Sequence, residues 1–441
     1  MLLDEGGEAP VTLPISNMSD SPPLGRNRAA WTVADQVLSS AQSLLISLWV
    51  THAVGLTGVG AFAIVFAAYQ ILLAVNRPLN GDPLTVGFSA AGAAERHDAS
   101  AAATGGAVLL GLWTAGVGTV AGLVIGGPLG HAVVVFAVGA VAILLQDAWR
   151  CVFFTAGRPG QALVNDAVVF LAMAPACLVA TRLGPHSAAS LVAAWCAATA
   201  VGALAGIGQS GVWPSVARGG RWWRATLHFG AKVLGENLIA NFAYTLGLAS
   251  VVVVSGVAAL GRLRTAQVAT NASNPLFLGI GTVVMADGTR LLATDPRRFP
   301  RLMLIGCTVA FVVPNALALA WWLLPTRLGV LIVGATWPVS RPLVLGAGAY
   351  VAGAAVSIVL SAGLRALRCP SEALKLRAMI GPLTLTAAIV GALLWGPGGA
   401  IGGIAAAEWL YAVVMIPRFR AIWRDRRWES PRPMTTDADL R

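Results

Sequence analysis

Long apolar segments alternate with short polar connections along most of the chain. The apolar segments are close to or above about 18 residues, the length that an α-helix needs to cross the hydrocarbon core of a bilayer. We therefore predict an all-α, polytopic membrane protein with twelve membrane-spanning helices. Numbered as spans 1 to 12 in chain order, they cover residues 33–54, 59–75, 101–125, 132–149, 162–181, 188–207, 231–255, 265–285, 302–324, 343–364, 378–395 and 399–416.

Basic residues collect on one side of the predicted membrane. If the N-terminus is cytoplasmic, most of the 30 lysines and arginines fall in cytoplasmic loops or in the tail. Because cytoplasmic loops carry an excess of Lys and Arg, this favours an even number of spans with both termini cytoplasmic. The near absence of lysine beside abundant Ala, Gly, Val and Arg is typical of a high-GC bacterial genome, so we expect the bacterial cytoplasmic membrane. The exceptions to the asymmetry are Arg182, Arg262, Arg264, Arg327 and Arg341.

The longest cytoplasmic connection divides the spans into two sets of six. QVLSS at 36–40 is weakly similar to KVLGE at 232–236, and GAFAI at 60–64 to GRLRT at 261–265, although the two offsets differ by five residues. Internal repeats with a site between the halves are a common plan in transporters. We predict a disordered cytoplasmic leader (1–28), a first lobe (29–207), a cytoplasmic linker (208–229), a second lobe (230–416) and a basic cytoplasmic tail (417–441).

Composition argues against a soluble or nucleic-acid-binding protein. Hydrophobic residues make up 57% of the chain and charged residues 11%, whereas soluble domains carry about a quarter charged residues. The net charge of +11 is spread over loops instead of one polar face, so we expect no nucleic-acid partner. The five cysteines have no CxxC spacing, and we interpret them as small apolar side chains.

Enzyme motifs are not found in the sequence. It contains no HExxH, no GxSxG and no P-loop, and its five histidines have no ligand spacing. Its loop carboxylates form no DxD-like cluster that would hold a metal. We therefore predict a protein that is not an enzyme and needs no cofactor or metal.

Polar side chains at membrane depth are the candidates for function. Burying such a group in the membrane costs several kcal/mol unless it is paired or hydrated. These groups therefore face a bundle interior or a water-filled cavity. Span 7 places Lys232 and Glu236 on one helix face, and Asn237 and Asn241 on another, so it is our first candidate for a cavity wall. The alternative is that these groups only join helices.

Other ionisable residues have structural interpretations. We expect Asp147 and Arg150, three apart at the cytoplasmic end of span 4, to form a structural pair. Asp35 helps to start the first helix, because a negative charge near a helix N-terminus interacts favourably with the positive end of the helix dipole. Glu408 lies within span 12, where a bare carboxylate is expensive, so we expect it to have a partner or to be protonated.

Three segments carry residues that occur together in a known protein family. They are Asp35, Gln36, Gly60 and Phe62 in spans 1 and 2; Gln146, Asp147, Arg150, Gly157, Arg158, Pro159, Ala162 and Asp166 around the joint of spans 4 and 5; and Gly261, Arg264, Ala266, Gln267 and Pro275 at the start of span 8. Through these positions the chain resembles polysaccharide-exporting flippases of the multidrug, oligosaccharidyl-lipid and polysaccharide exporter superfamily, over about residues 28–420.

This resemblance implies two pseudo-symmetric six-helix lobes around a central cavity that opens alternately to each side. The implied cargo is a polyprenyl-diphosphate-linked oligosaccharide, with membrane lipids, a coupling proton or sodium ion, and glycan polymerases or glycosyltransferases as partners. Twelve spans fit less well with peptidoglycan-precursor flippases, which have two further C-terminal helices. The arrangement of Lys232 and Glu236 matches no motif of the family.

We expect the cargo to contact polar residues of the second lobe. Guanidinium groups bind diphosphate oxygens bidentately, and amides hydrogen-bond sugars. Asp35, Glu236 and Lys232 are candidates for coupling to a cation gradient. The alternatives are a cation-coupled multidrug exporter of the same superfamily, a membrane glycan polymerase or ligase, and a scaffold that does not transport. The predicted diphosphate ligands are Arg262, Arg264 and Arg341, and the predicted sugar ligands are Asn237, Asn241 and Gln267.

Overall fold

The computed structural model describes residues 26–54, 56–183, 187–271, 273–333 and 336–425. Most of the predicted leader and the tail beyond residue 425 lie outside the described residues. The described part is helical, with no strand in it. Its helices are α1 (Arg26–Ala53), α2 (Leu56–Asn76), α3 (Asp82–Phe88), α4 (Ala93–Ile125), α5 (Gly127–Thr155), α6 (Pro159–Leu183), α7 (Ala188–Ser210), α8 (Val216–Ser255), α9 (Val257–Asn271), α10 (Asn274–Thr294), α11 (Phe299–Leu323), α12 (Thr326–Val333), α13 (Trp337–Ser340), α14 (Val344–Ala366) and α15 (Pro370–Asp425).

The helices account for the twelve predicted spans. Ten described helical segments are long and apolar enough to cross a membrane. One of them, α15, contains spans 11 and 12, because the backbone leaves the helical region at Trp395 and Gly396. Span 1 lies in α1, which has 28 residues.

The surface of the bundle is apolar and its interior contains polar groups. Val253 is 87% exposed and Leu331 82%, whereas Asp35 and Asn165 are fully buried. This is the reverse of a water-soluble protein, and it is the distribution expected of a multi-pass membrane protein whose solvent is lipid.

The two largest apolar clusters of the described residues mark two lobes. The first lobe packs α1, α2, α5, α6 and α7 around residues such as Phe136 and Trp195. The second packs α8, α10, α11, α14 and α15 around residues such as Phe299 and Tyr411. Because consecutive spans alternate in direction, α1 starts, and α3, α5, α10 and α14 end, at one side of the bundle. We call it the basic face, because most arginine-rich loops lie there.

The two lobes use the same turn at corresponding positions. After α5, Gly157 has a φ of 72° and the Arg158 N–H donates to the Phe153 carbonyl. After α14, Arg368 has a φ of 58° and the next N–H donates to the Leu364 carbonyl. A left-handed residue that closes a helix in this way is a Schellman-type cap. Proline opens the following helix in both lobes, at Pro159 and Pro370.

Two elements differ from the predicted boundaries. Span 8 is divided: α9 ends at Asn271 and α10 begins at Asn274. Pro275 explains the restart, since proline lacks an N–H and suits the first turn of a helix. The predicted linker is largely helical, because α8 begins at Val216 and runs without interruption for 40 residues. Its first turns pack against α4, where a Cβ on Gly219 would lie 2.6 Å from the Gly105 carbonyl carbon.

Candidate functional site: two buried charge clusters and an arginine-tyrosine surface

A buried ionic cluster lies between α1, α5 and α6 in the first lobe. Nη2 of Arg150 donates to Oδ2 of Asp35 at 2.6 Å, and its Nε lies 3.7 Å from Oδ2 of Asp166. Gln146 donates to the other oxygen of Asp166 at 2.7 Å. Asp35, Arg150 and Asp166 come from three helices and are almost inaccessible, while Gln146 is partly buried. The coupling candidate Asp35 is therefore held by an internal cation.

The predicted pairing of Asp147 with Arg150 is wrong. Asp147 instead accepts from Arg77 at 2.9 Å and from Asn76 at 3.1 Å. Both residues lie on α5, but Asp147 meets the end of α2 while Arg150 meets α1 and α6. Each therefore finds a partner on a neighbouring helix, which sequence spacing along α5 does not reveal.

The first-lobe cluster carries one carboxylate more than it has guanidinium groups: Asp35, Asp147 and Asp166 face Arg77 and Arg150. Oδ1 of Asp35 and Oδ2 of Asp166 are buried without a hydrogen-bond partner. A cavity of about 20 Å³ is lined by Asp147, Arg150 and Asp166 of the cluster, together with Ser39 and Tyr69 among others. This volume holds one water molecule. The chemistry of the cluster suits a proton or another small monovalent cation, whose charge would balance the extra carboxylate.

A second buried cluster lies between α8, α14 and α15. Glu236 accepts from Nη2 of Arg365 at 3.1 Å, from the Tyr411 hydroxyl at 3.1 Å and from Ser361. The predicted coupling candidate Glu236 is therefore buried and paired. Lys232, one turn earlier on α8, lies 2.6 Å from Nε2 of His228 instead, so it does not belong to this cluster.

Glu408 has the partner that its burial requires. It accepts from Nη1 of Arg377 at 2.7 Å and from the Ser357 hydroxyl at 3.3 Å. The Arg377 guanidinium also lies over the ring of Tyr411, 3.7 Å from its centroid. A desolvated cation over an aromatic face is stabilised by the ring quadrupole. The expected partner of Glu408 is thus Arg377, and Tyr411 links this ion pair to that of Glu236 with Arg365.

The predicted cargo ligands on α8 separate from one another. Asn237 is partly buried, and its Oδ1 lies 3.4 Å from Nη2 of Arg365. Asn241 is exposed and donates back to the Asn237 carbonyl at 2.8 Å. The first belongs to the charge cluster, while the second contributes to the outer surface of α8.

Arg264 and Gln267 meet an aromatic pair. Nη1 of Arg264 donates to Oε1 of Gln267 at 3.3 Å, and Nε2 of Gln267 donates to the Tyr244 hydroxyl at 2.8 Å. The Tyr244 ring stacks on Tyr350, with centroids 4.9 Å apart and planes 8° from parallel. Gln267 is buried while Arg264 is exposed. We call these four residues the arginine-tyrosine surface. Arg262 is also exposed, two residues earlier on α9.

Arg341 lies apart from that surface. Its Nε donates to the Trp322 carbonyl at 2.7 Å, and its guanidinium lies 5.8 Å from the Trp322 ring centroid. A cation beside the last carbonyls of a helix satisfies its C-terminal dipole. Arg341 therefore caps α11 in this structure.

Sequence reasoning missed Arg365, Arg377 and Tyr350. The two arginines look like ordinary basic residues of the loops between spans 10 and 11, so the positive-inside pattern accounted for them. The buried carboxylates were the available signal, because each of them requires a cation nearby. No cluster of three or more His, Cys, Asp or Glu side chains with the geometry of a metal site occurs in the described part of the chain.

No protein-family model and no curated protein sequence matches the chain. Solved structures with the same fold exist. One is described as the outward-facing conformation of a multidrug resistance MATE family transporter of the MOP superfamily: TM-score 0.76, 13% identity, covering 90% of this chain and 95% of that one. A MATE structure in a bent conformation has a TM-score of 0.78 with the same identity and coverage.

A third structure is described as a MOP superfamily transporter from Pyrococcus furiosus whose binding pocket has reverse polarity, which suggested a different function. Its TM-score is 0.73, with 13% identity over 90% of this chain and 95% of that chain. The chain therefore has the fold of MATE transporters, in which two pseudo-symmetric lobes of membrane-spanning helices face each other. The repeated caps after α5 and α14 agree with this symmetry.

Proposed function

We propose that this protein is a flippase-type transporter that moves a polyprenyl-diphosphate-linked oligosaccharide across the bacterial cytoplasmic membrane by alternating access. Solved structures that share this fold are described as transporters. The proposed cargo rests on one observation, the arginine-tyrosine surface of the second lobe.

The arginine-tyrosine surface combines the chemistry of both cargo parts. The planar fork of Arg264 matches the geometry of diphosphate oxygens, and Arg262 adds a second positive charge two residues away. The hydroxyl of Tyr244 is a hydrogen-bonding group suited to sugars, and the buried amide of Gln267 holds it beside Arg264. The stacked tyrosines provide a flat apolar face. The headgroup would cross along this wall while the polyprenyl chain stays in the bilayer. The role proposed for Arg341 has less support, since it caps α11.

A cation-coupled multidrug exporter of the same superfamily is the second candidate. Two observations favour it: one similar structure is described as a multidrug resistance MATE family transporter, and the first-lobe cluster carries an extra carboxylate beside a small polar cavity. Coupling through Asp35 would fit either function. Glu236 is an equivalent candidate in the second lobe, whereas Lys232 is separated from both clusters.

The test is flipping of a fluorescent undecaprenyl-diphosphate trisaccharide in proteoliposomes, with an impermeant quencher outside and ethidium efflux measured in parallel. Arg264→Ala removes charge-assisted hydrogen bonds worth about 1.5–3 kcal/mol each. We therefore expect the apparent affinity to fall at least about tenfold. Arg264→Lys keeps the charge but loses the fork, and should lie between wild type and Arg264→Ala.

Arg327→Ala is the matched control. Arg327 is an exposed arginine at the start of α12, on the same side of the membrane but outside the arginine-tyrosine surface. It should flip the probe as wild type does. Equal losses in Arg264→Ala and Arg327→Ala would refute the diphosphate role. Ethidium efflux by wild type without any flipping would assign the protein to the multidrug exporters.

A further inference from the structure

Helix α3 of the first lobe is docked into the second lobe at the basic face. Val86 of α3 is fully buried in the apolar core of the second lobe, among residues that include Phe229 and Val233. Asp82, the first residue of α3, lies 3.1 Å from Nη1 of Arg365. A helix of seven residues thus carries both an apolar and an ionic contact between the lobes.

Arg290, near the end of α10, fixes the end of α3 and the end of α5. Its Nε donates to the Ser89 carbonyl at 3.2 Å. Its Nη2 donates to the Phe154 and Thr155 carbonyls at 2.8 and 2.6 Å. The last carbonyls of a helix have no partner within the helix and carry its negative dipole end. One guanidinium of the second lobe therefore caps two helices of the first.

Both arginines also hold a carboxylate of their own lobe. Arg290 bonds Asp287 one turn earlier on α10, and Arg365 bonds Glu236 of α8. If the lobes separate here, Asp82 and the three carbonyls can exchange these bonds for water, while each guanidinium keeps its own-lobe partner. An uncompensated buried charge, which would cost several kcal/mol, does not arise.

The remaining buried arginine pairs have a different arrangement. Arg150 bonds Asp35 and Asp166, all in the first lobe, and Arg377 bonds Glu408, both in the second. Separation of the lobes leaves these bonds unchanged. Among the buried arginines, Arg290 and Arg365 are the ones whose contacts with the first lobe such a motion would break. The start of α8 also touches the first lobe, through the hydrogen bond of Trp222 with the Leu79 carbonyl and that of Trp223 with Asn80.

We propose that α3, Arg290 and Arg365 form the gate that closes the central cavity at the basic face, and that releasing α3 opens it. This inference rests on the proposed alternating-access transport, because a gate has a role only if the lobes move. In the present state the gate is shut. Arg290 and Arg365 position the lobes and need not touch the cargo.

The test measures the distance across the gate without any substrate. Spin labels are placed at Ala94→Cys, at the start of α4, and Ala293→Cys, at the end of α10; both positions are exposed. The five native cysteines are replaced first, and the protein is reconstituted in lipid nanodiscs. Pulsed electron paramagnetic resonance then measures the distance between the two labels. It gives the populations of the closed state, with a short distance, and of the open state, with a long one.

Two variants weaken different parts of the gate. Arg290→Ala removes the cap on three carbonyls, and Asp82→Asn removes the inter-lobe ion pair while Arg365 keeps Glu236. Because hydrogen bonds to charged groups are involved, we expect the closed-to-open ratio to fall roughly ten- to a hundredfold in each. Arg290→Lys, with fewer donors, should lie between wild type and Arg290→Ala. The control Arg301→Ala, an exposed arginine just beyond on α11, should leave the ratio unchanged.

Unchanged distances in both Asp82→Asn and Arg290→Lys would overturn the gate even if Arg290→Ala fails to fold. A shift of equal size in Arg301→Ala would also overturn it, since surface charge alone would then explain the effect. Because the readout needs no cargo, a shifted distance in a protein that flips no lipid would retain the gate and reject the proposed cargo.

Discussion

The ion pair between Arg377 and Glu408 should be a major support of the second lobe. Its N–O distance is 2.7 Å, and its side chains are 7% and 9% exposed. Lys375, two residues earlier on α15, forms an ion pair with Glu372 at the same distance of 2.7 Å, but its side chain is 69% exposed. The two pairs therefore differ mainly in their burial.

Arg377→Met should cost about 3–5 kcal/mol of the free energy of unfolding, because it leaves Glu408 as a buried charge without its cation. Loss of the cation–π contact with Tyr411 contributes to this cost. Lys375→Met breaks an exposed pair and should cost about 0–1 kcal/mol. The double variant Arg377→Met, Glu408→Gln removes both charges and should recover most of the lost stability.

The assay is reversible unfolding in detergent micelles, followed by tryptophan fluorescence and by the far-ultraviolet circular dichroism of the helices. The three variants are compared with wild type under one set of conditions. The reasoning is refuted if Arg377→Met costs no more than Lys375→Met. It is also refuted if the double variant is as unstable as Arg377→Met, since the loss would then come from packing and not from the stranded charge.

Two further variants test the backbone of the fold, both by the same unfolding assay. Gly219→Ala should lower the free energy of unfolding by about 1–3 kcal/mol, because its Cβ would overlap the backbone of α4 at Gly105. The control Gly220→Ala has no atom within 4 Å of its Cβ and should be neutral or slightly stabilising. Equal effects of the two variants would contradict the close approach of α4 and α8. Arg368→Gly should stabilise the protein by roughly 0.5–1 kcal/mol, because Arg368 has a positive φ that glycine adopts without steric cost; a loss of stability would show that its side chain matters more than its backbone.

The helical type of the fold and the approximate positions of the membrane spans could be predicted from the sequence, whereas short helices such as α3 and α13 could not. Hydropathy is a local property that sums over about twenty neighbouring residues, so each span is visible without knowledge of the others. The break in span 8 had a local signal in Pro275, and the need of Glu408 for a partner followed from its depth in the membrane. The resemblance to a transporter superfamily agrees with the fold that the solved structures share.

The tertiary structure alone decided which charges meet. Asp35 and Arg150 are 115 residues apart in sequence, and Asp82 and Arg365 are 283 apart. Helical periodicity shows which residues share a face of a helix. It does not show which neighbouring helix that face contacts. For this reason the spacing along α5 predicts the wrong partner for Arg150, and the positive-inside pattern does not distinguish Arg365 from an ordinary loop arginine. Hydropathy acts along the chain, whereas an ion pair depends on how the helices pack and how the two lobes dock.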